Sequence, residues 1–241
     1  MHDYQTDGQG NRIHPTAIVA AGATLAGDCT IGPFAQVGEN VDLGCGCIVE
    51  AHALVGYDTL SRIWDPARIA PRTTIGAGSH IRTGAVIYRG STFGEQCRIG
   101  HSVVLREGMR VGHHTAIGCL VKCEGYTTIG NRCVIHAQSH LTSFMTIEDY
   151  VFFGPSCVTM NDPVAAHYRE IEREVRGPTV RRGARIGSGV AICPAVVIGE
   201  EAFIGAGSVV TKEVPAREFW FGNPARRYHE VGADEALRPV D

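Results

Sequence analysis

The side chains best suited to acid–base chemistry gather around one irregular stretch, residues 159–179. The stretch begins after Val158 and contains Asn161 and Asp162, and His140 precedes Val158 by eighteen residues. Imidazole and carboxylate groups can exchange a proton during a reaction, and an amide can orient a polar ligand. These residues can act together only if the fold stacks positions that are eighteen apart.

A period of six in the apolar residues indicates such a fold. Every sixth residue is apolar from Ile13 to Val55, from Ile63 to Phe153 and from Val180 to Val210, and the fifth position of each hexad is small or apolar, as in Ala35. Three hexads make one turn of a solenoid whose short strands pair with the turns above and below. The thirty hexads predict an all-β fold, a parallel β-helix of about ten coils that is roughly 48 Å long.

Two irregularities interrupt this period, and function is expected there because loops on a rigid scaffold commonly carry it. The first is a two-residue phase slip at Ser61 and Arg62, which predicts a corner loop. The second is the long inserted loop 159–179. Because residues eighteen apart stack, His140 is predicted one coil below this loop and Lys122 two coils below. Ordinary solvated surface is the alternative interpretation of both, since corners are polar.

The domain organisation follows from where the hexads begin and end. Residues 1–12 are expected to form a flexible lead, and residues 13–227 a single β-helix domain that includes the inserted loop. Residues 228–241 are expected to form a short C-terminal tail with a helical turn within 233–237, and this tail is expected to pack near the cleft or to cap the last coil.

Composition limits the partners of the chain. With 241 residues and a formal net charge of −3, it offers no global basic field for a nucleic acid polymer. It contains no run of eighteen apolar residues that could span a membrane, and its first residues are polar. These features predict a cytoplasmic protein that binds neither nucleic acid nor a membrane.

Six of the nine cysteines are interpreted as packing residues, and Cys45, Cys119 and Cys193 lie outside the inward positions. Cys123 falls at the first hexad position and five others fall at the fifth, where a small buried apolar group is needed: Cys29, Cys47, Cys97, Cys133 and Cys157. Because the chain also lacks a CxxC pair, neither a disulfide nor a metal site is predicted.

Several motifs together resemble the hexapeptide-repeat acyltransferases. They are the Ile-Gly-x-x-x-x hexads, the long loop, and the segment Ile204-Gly-Ala-Gly-Ser-Val-Val-Thr-Lys212 followed by Gly222-Asn-Pro-Ala-Arg226. The resemblance covers residues 13–227. It implies a left-handed β-helix, a homotrimer of parallel chains, and acyl-CoA bound in a cleft between neighbouring prisms. It places the CoA contacts on Ser188, Ala206, Thr211, Lys212 and Arg226.

The loop signature is similar to one branch of that family, the N-acetyltransferases of nucleotide-linked amino sugars. The segment from Phe152 to Asp162 carries the branch's Gly-Pro, short strand and Asn-Asp, whereas galactoside and maltose O-acetyltransferases have a catalytic histidine where this chain has Asp162. The implied reaction is attack of an amine, or less readily a hydroxyl, on the thioester of acetyl-CoA. His140 is then the expected base, Asp162 its partner or alternative, and Asn161 a residue that orients the acceptor.

Two other functions remain open at this point. The γ-class carbonic anhydrases share the prism and bind zinc through three histidines, for which His101, His136 and His140 are candidates. The inserted loop and Ser91, which stands where that family usually has an aspartate, argue against this alternative. The other possibility is a non-enzymatic β-helix scaffold that would bind no acyl-CoA.

Overall fold

A computed structural model describes residues 4–58, 67, 69–165 and 174–237 of the chain. The chain winds into a left-handed parallel β-helix, as the sequence predicts. Each coil gives one short strand to each of three sheets, and strands pair in parallel with those one coil above and below. Ten coils are complete, and one further strand begins an eleventh.

The first sheet contains β2 (Arg12–Ile13), β5 (Thr30–Ile31), β8 (Ile48–Val49), β11 (His80–Ile81), β14 (Arg98–Ile99), β17 (Ala116–Ile117), β20 (Val134–Ile135), β23 (Phe152–Phe153), β26 (Arg185–Ile186), β29 (Phe203–Ile204) and β31 (Glu218–Gly222). The second contains β3 (Ile18–Val19), β6 (Gln36–Val37), β9 (Leu54–Tyr57), β12 (Val86–Tyr88), β15 (Val104–Leu105), β18 (Lys122–Cys123), β21 (His140–Leu141), β24 (Val158–Thr159), β27 (Ala191–Ile192) and β30 (Val209–Val210). The third contains β4 (Thr24–Leu25), β7 (Val41–Leu43), β10 (Thr73–Ile75), β13 (Thr92–Phe93), β16 (Arg110–Val111), β19 (Thr128–Ile129), β22 (Thr146–Ile147), β25 (Thr179–Val180) and β28 (Val197–Ile198).

The first residue of each hexad fills the axis of the prism. Ile31, Ile87 and Ile135 are fully buried, and so are most of the equivalent residues along the chain. The fifth positions are buried beside them, as at Cys47 and Cys133. Burial of this continuous apolar column is the main stabilising contribution in a fold whose strands are mostly two residues long.

The register between Val55 and Ile75 differs from the prediction. Strand β10 pairs directly with β7, with Thr73 opposite Val41, so the stretch of sequence from 58 to 72 adds no coil and is an insertion between β9 and β10. The assignment of Ile69 to a coil position was therefore wrong, because a loop can carry apolar residues six apart without being a coil. The phase slip at residues 61 and 62, and Ile63, lie outside the described residues. The predicted total of ten coils still holds. Two coil sides that the hexad count did not include are occupied by Thr159 in the second sheet and by Val214, which pairs with Ile198 of the third sheet.

Short antiparallel strands close both ends of the first sheet. Strand β1 (Gln5–Thr6) pairs with β2, so part of the segment expected as a flexible lead covers the first coil. Strand β32 (Ala225–Glu230) pairs with β31 as a hairpin on the last coil, and the boundary expected between residues 227 and 228 falls inside it. A 3-10 helix at Ala233–Glu235 follows, within the expected helical turn. No helix among the described residues is long and apolar enough to cross a bilayer.

Candidate active site at two corners of the prism

Both insertions leave the prism at the same corner. The first insertion (58–72) follows β9 and the second (160–178) follows β24, and both strands belong to the second sheet. We call this edge, between the second and third sheets, the loop corner. On the four coils between the insertions it consists of residues 89–91, 106–109, 124–127 and 142–145.

His140 lies directly below the second insertion, as predicted. In the second sheet Lys122 pairs with His140, and His140 pairs with Val158 on the next coil. The hydroxyl of Thr159 donates to the carbonyl oxygen of His140 at 3.3 Å and accepts a hydrogen bond from the amide of Thr142 at 2.9 Å. These bonds fix the strand that carries the imidazole to the root of the loop.

The carboxylate beside His140 is that of Glu124. The distance from His140 Nε2 to Glu124 Oε1 is 3.5 Å, and the two side chains are 39% and 49% exposed. A carboxylate in this position can orient the ring and stabilise the imidazolium that forms when the ring accepts a proton. Sequence analysis missed Glu124. The signal was its place two residues after Lys122, which stacks under His140.

A cleft of about 180 Å³ opens at the loop corner and contains two of the predicted residues. Its lining side chains are Arg106, Glu124, Ser143, Phe144, Asn161, Asp162 and Val175. Within the loop, Asp162 Oδ1 accepts a hydrogen bond from the amide of Val164 at 3.0 Å, and the Asn161 carbonyl accepts one from the Arg176 amide at 2.9 Å. Asn161 and Asp162 therefore meet Glu124 in this cleft, and Glu124 connects them to His140.

Arg106 is held in the cleft by a buried acid that sequence analysis also missed. Its Nε and Nη2 groups donate to the two carboxylate oxygens of Glu107 at 3.1 and 2.9 Å. The Glu107 side chain is completely buried, while that of Arg106 is 33% exposed. A buried carboxylate needs a compensating charge, so this two-bond pairing fixes the guanidinium in one orientation.

Ser188 and Ala206 lie at a different edge, between the first and second sheets, which we call the glycine corner. The amide of Gly207 donates to the Ser188 carbonyl at 2.8 Å, so the two residues are one coil apart, as predicted. Both are exposed. A Cβ on Gly154 or Gly187 would lie 2.7 or 2.6 Å from the backbone nitrogen above it, which explains glycine at these two positions.

Three further predicted contacts lie near the C-terminal end of the prism. Lys212 Nζ is 5.2 Å from the centre of the Trp220 ring, which closes the last coil. Arg226 Nη1 donates to the Ala225 carbonyl in the hairpin at 2.9 Å. Thr211, Lys212 and Arg226 are all exposed, so their polar groups face solvent and are available to a ligand.

The histidines considered for zinc have separate surroundings within one chain. His136 lies at the glycine corner with its ring 5.3 Å from that of Phe152, and His140 contacts Glu124. Across the described ranges, no three histidine, cysteine, aspartate or glutamate side chains form a group that could hold a metal ion.

Three of the buried cysteines behave as packing groups. Burial raises the pKa of the Cys123 and Cys133 thiols to about 11, so both are protonated at neutral pH. Burial also raises the pKa of Cys157. A protonated, inaccessible thiol is a poor nucleophile, which agrees with their structural interpretation.

Comparison with known sequences identifies the repeat and its relatives. The family described as "Bacterial transferase hexapeptide (six repeats)" matches residues 177–212. An acyl-[acyl-carrier-protein]--UDP-N-acetylglucosamine O-acyltransferase of Saccharophagus degradans is 31% identical over 44% of this chain and 48% of its own length. The bifunctional protein GlmU of Herminiimonas arsenicoxydans is 29% identical over 95% of this chain and 48% of its own. The chain thus spans about half the length of these curated relatives.

Solved structures show the same architecture. The UDP-N-acetylglucosamine acyltransferase of Arabidopsis superposes with a TM-score of 0.71 over 90% of this chain and 74% of that one, at 20% identity. At this identity the likeness establishes the shared β-helix alone. Together with the sequence matches, it confirms the predicted resemblance to hexapeptide-repeat acyltransferases.

Proposed function

We propose that this hexapeptide-repeat chain is an acyl-CoA-dependent acyltransferase that acetylates the amine of a nucleotide-linked amino sugar. The observation that carries the proposal is the imidazole of His140 beside Glu124, a residue that lines a cleft together with Asn161 and Asp162. It is supported by the hexapeptide match over residues 177–212, a segment that includes Ser188 and Ala206.

The reaction follows from the groups at the loop corner. The acceptor amine attacks the thioester carbonyl of acetyl-CoA, the C–N bond forms, and the C–S bond then breaks to release the CoA thiolate. His140 accepts the proton that the amine loses, and Glu124 stabilises the imidazolium while it exists. Asn161 orients the acceptor, and Asp162 serves as a further partner or alternative base. Backbone amides of the coil are suitable donors to the oxyanion of the intermediate.

The donor would bind at the glycine corner and the C-terminal end. Backbone groups at Ser188 and Ala206 are accessible to the pantetheine arm. Thr211 offers a hydroxyl, and Lys212 and Arg226 offer positive charge to the phosphates of acetyl-CoA.

A homotrimer would join the two halves of the site. Within one chain, the cleft and Ser188 lie at opposite edges of the second sheet. Three parallel prisms would bring the loop corner of one chain to the glycine corner of the next. The outer surfaces of the two sheets that flank the glycine corner expose Ile18 and Val158 on one side and Ile48 and Phe152 on the other, and contact between subunits would bury them. A cytoplasmic location remains part of the proposal.

A second candidate is O-acyl transfer from an acyl-carrier protein to a hydroxyl of UDP-N-acetylglucosamine. The observation that favours it is the 31% identity to the Saccharophagus degradans enzyme with that name. Both candidates use the same base and cleft, so the donor and the acceptor atom must be found by experiment.

The test supplies the purified chain with acetyl-CoA, a long-chain acyl-CoA or an acylated carrier protein. Acceptors are a UDP-linked amino sugar and UDP-N-acetylglucosamine, and the readouts are thiol release and product mass. We expect acetyl transfer to the amine, lowered in kcat by roughly 100-fold or more in His140→Ala. Arg110→Gln, on the outer face of the third sheet, is the control. Unchanged turnover in both His140→Ala and Asp162→Asn would contradict the assigned site, and binding of no donor at all would favour a scaffold.

A further inference from the structure

The loop-corner surface between the two insertions, which we call the groove, carries side chains that the proposed acetyl transfer does not by itself explain. The first leaves from the third coil and the second from the eighth, so they stand five coils or roughly 24 Å apart. The cleft beneath the second insertion occupies only one end of this groove. Tyr57 and Asp58, at the root of the first insertion, lie at the other end, where they line a separate cavity.

A chain of side-chain contacts connects the two ends. The ring of Tyr57 meets the ring of Tyr88 edge to face at 5.2 Å, and the Arg106 guanidinium carbon lies 6.0 Å from the centre of the Tyr88 ring. Tyr57 is 46% exposed and Tyr88 is half-buried. The rings of Tyr57 and Tyr88 and the guanidinium of Arg106 thus follow one another in the direction of the cleft.

Arg106 is suited to bind an anion because its position is fixed before a ligand arrives. The bonds to Glu107 use two of the five N–H groups of the guanidinium and leave three that Glu107 does not engage. The buried carboxylate holds the side chain in place, so little conformational entropy is lost on binding. Arginine in a fixed orientation recognises phosphate oxygens by paired hydrogen bonds.

We propose that this groove binds the nucleoside diphosphate part of the acceptor, with Arg106 on the diphosphate and the Tyr88 ring against the base. The amino sugar would then point to the opposite end, where Glu124 and Asp162 present negative charge to its ammonium group and His140 lies next to Glu124. From Tyr88 to His140 the groove covers three coils, roughly 14 Å. The inference rests on the proposed function and gives Tyr88 and Arg106 a role in recognising the nucleotide.

The test measures binding of UDP and of inorganic pyrophosphate by titration calorimetry. The main variant is Arg106→Gln combined with Glu107→Gln, because the second change avoids an unpaired buried carboxylate. We expect it to weaken both ligands by roughly tenfold or more, since a charged hydrogen-bond donor to phosphate is lost. Tyr88→Leu should weaken UDP by several-fold and leave pyrophosphate unchanged. Arg110→Gln, an exposed arginine near the same coil position, should change neither.

Each result decides the matter. Absence of UDP binding to the unaltered chain would overturn the inference, and so would an unchanged UDP affinity in Tyr88→Leu or in the double variant Arg106→Gln with Glu107→Gln. Binding of acetyl-CoA to each variant verifies that it is folded. Arg106-dependent UDP binding without acyl transfer would keep the inference and remove the proposed function. Acyl transfer to a simple amine without UDP binding would keep the proposed acyl transfer and overturn the inference.

Discussion

The glycine corner and the loop corner of the same prism are built in opposite ways. At the glycine corner the coils repeat so closely that a Cβ on Gly187 would lie 2.6 Å from the nitrogen of Ala206. At the loop corner the chain leaves the coil twice, and residues as different as Arg106 and Glu124 follow one another on successive coils. Repetition builds a uniform backbone surface, whereas departure from it positions individual charges. An acyl transfer site needs both.

The largest expected effect tests the charge at the loop corner. Arg106→Ala leaves the fully buried Glu107 carboxylate without its partner, so we expect a loss of about 3 kcal/mol in the free energy of unfolding, measured in urea. Adding Glu107→Gln should recover part of the loss, because a neutral amide is cheaper to bury than a charge. Equal stability of Arg106→Ala and the unaltered chain would show that this corner does not depend on the pair.

The next effect tests the close stacking at the glycine corner. Gly187→Ala forces the backbone at Ala206 to move, and we expect it to lower the free energy of unfolding by about 1–3 kcal/mol and to weaken acetyl-CoA binding. Gly8→Ala is the matched control, because its Cβ would meet no atom within 4 Å and its effect should be within about 0.5 kcal/mol. If both variants were equally stable, the stacking would not be the reason for glycine at this corner.

The regular part of the molecule could be predicted from the sequence because sterics repeat every eighteen residues. The stack of Lys122, His140 and Val158 follows from counting alone, and the structure confirms it. The same counting failed at Ile69, since apolar residues six apart in an insertion are indistinguishable from a coil in the sequence.

The irregular part could not be predicted because it depends on side-chain direction. Glu124 lies sixteen residues before His140, which is not a whole coil, and contacts it only because a corner residue turns its side chain back over the sheet. Glu107 occupies no apolar hexad position, yet it is fully buried and fixes Arg106. The position of Glu124 two residues after Lys122 places it near His140, but the direction of neither side chain leaves a pattern in the sequence.

A smaller effect tests whether Glu124 acts on His140. Glu124→Gln keeps the shape of the side chain but removes the charge that stabilises the imidazolium, so we expect kcat to fall roughly tenfold with KM for acetyl-CoA little changed. The pH profile of kcat should shift as well, which a purely structural role would not produce. Glu95→Gln, an exposed carboxylate at the remaining corner, is the control. An unchanged pH profile in Glu124→Gln would leave His140 without the partner assigned to it.

The smallest effect concerns how the first insertion is anchored to the regular coil. Arg72, at its end, donates to both oxygens of Asp42 at 2.6 and 2.7 Å. This pairing holds the pKa of the Asp42 carboxyl below its usual value near 3.8. Because the folded pKa is the lower one, the stabilisation is present above the unfolded pKa and is lost as pH falls through the folded value.

Asp42→Asn should therefore reduce the difference in the free energy of unfolding between pH 6 and pH 3. The reduction should be slight, since both side chains are 36% exposed and solvent weakens such a pair. Glu213→Gln, an exposed carboxylate near the other end of the prism, should leave the pH dependence as it is. If Asp42→Asn also left it unchanged, the insertion would be held by its other contacts, and the groove that starts from it would not depend on this ion pair.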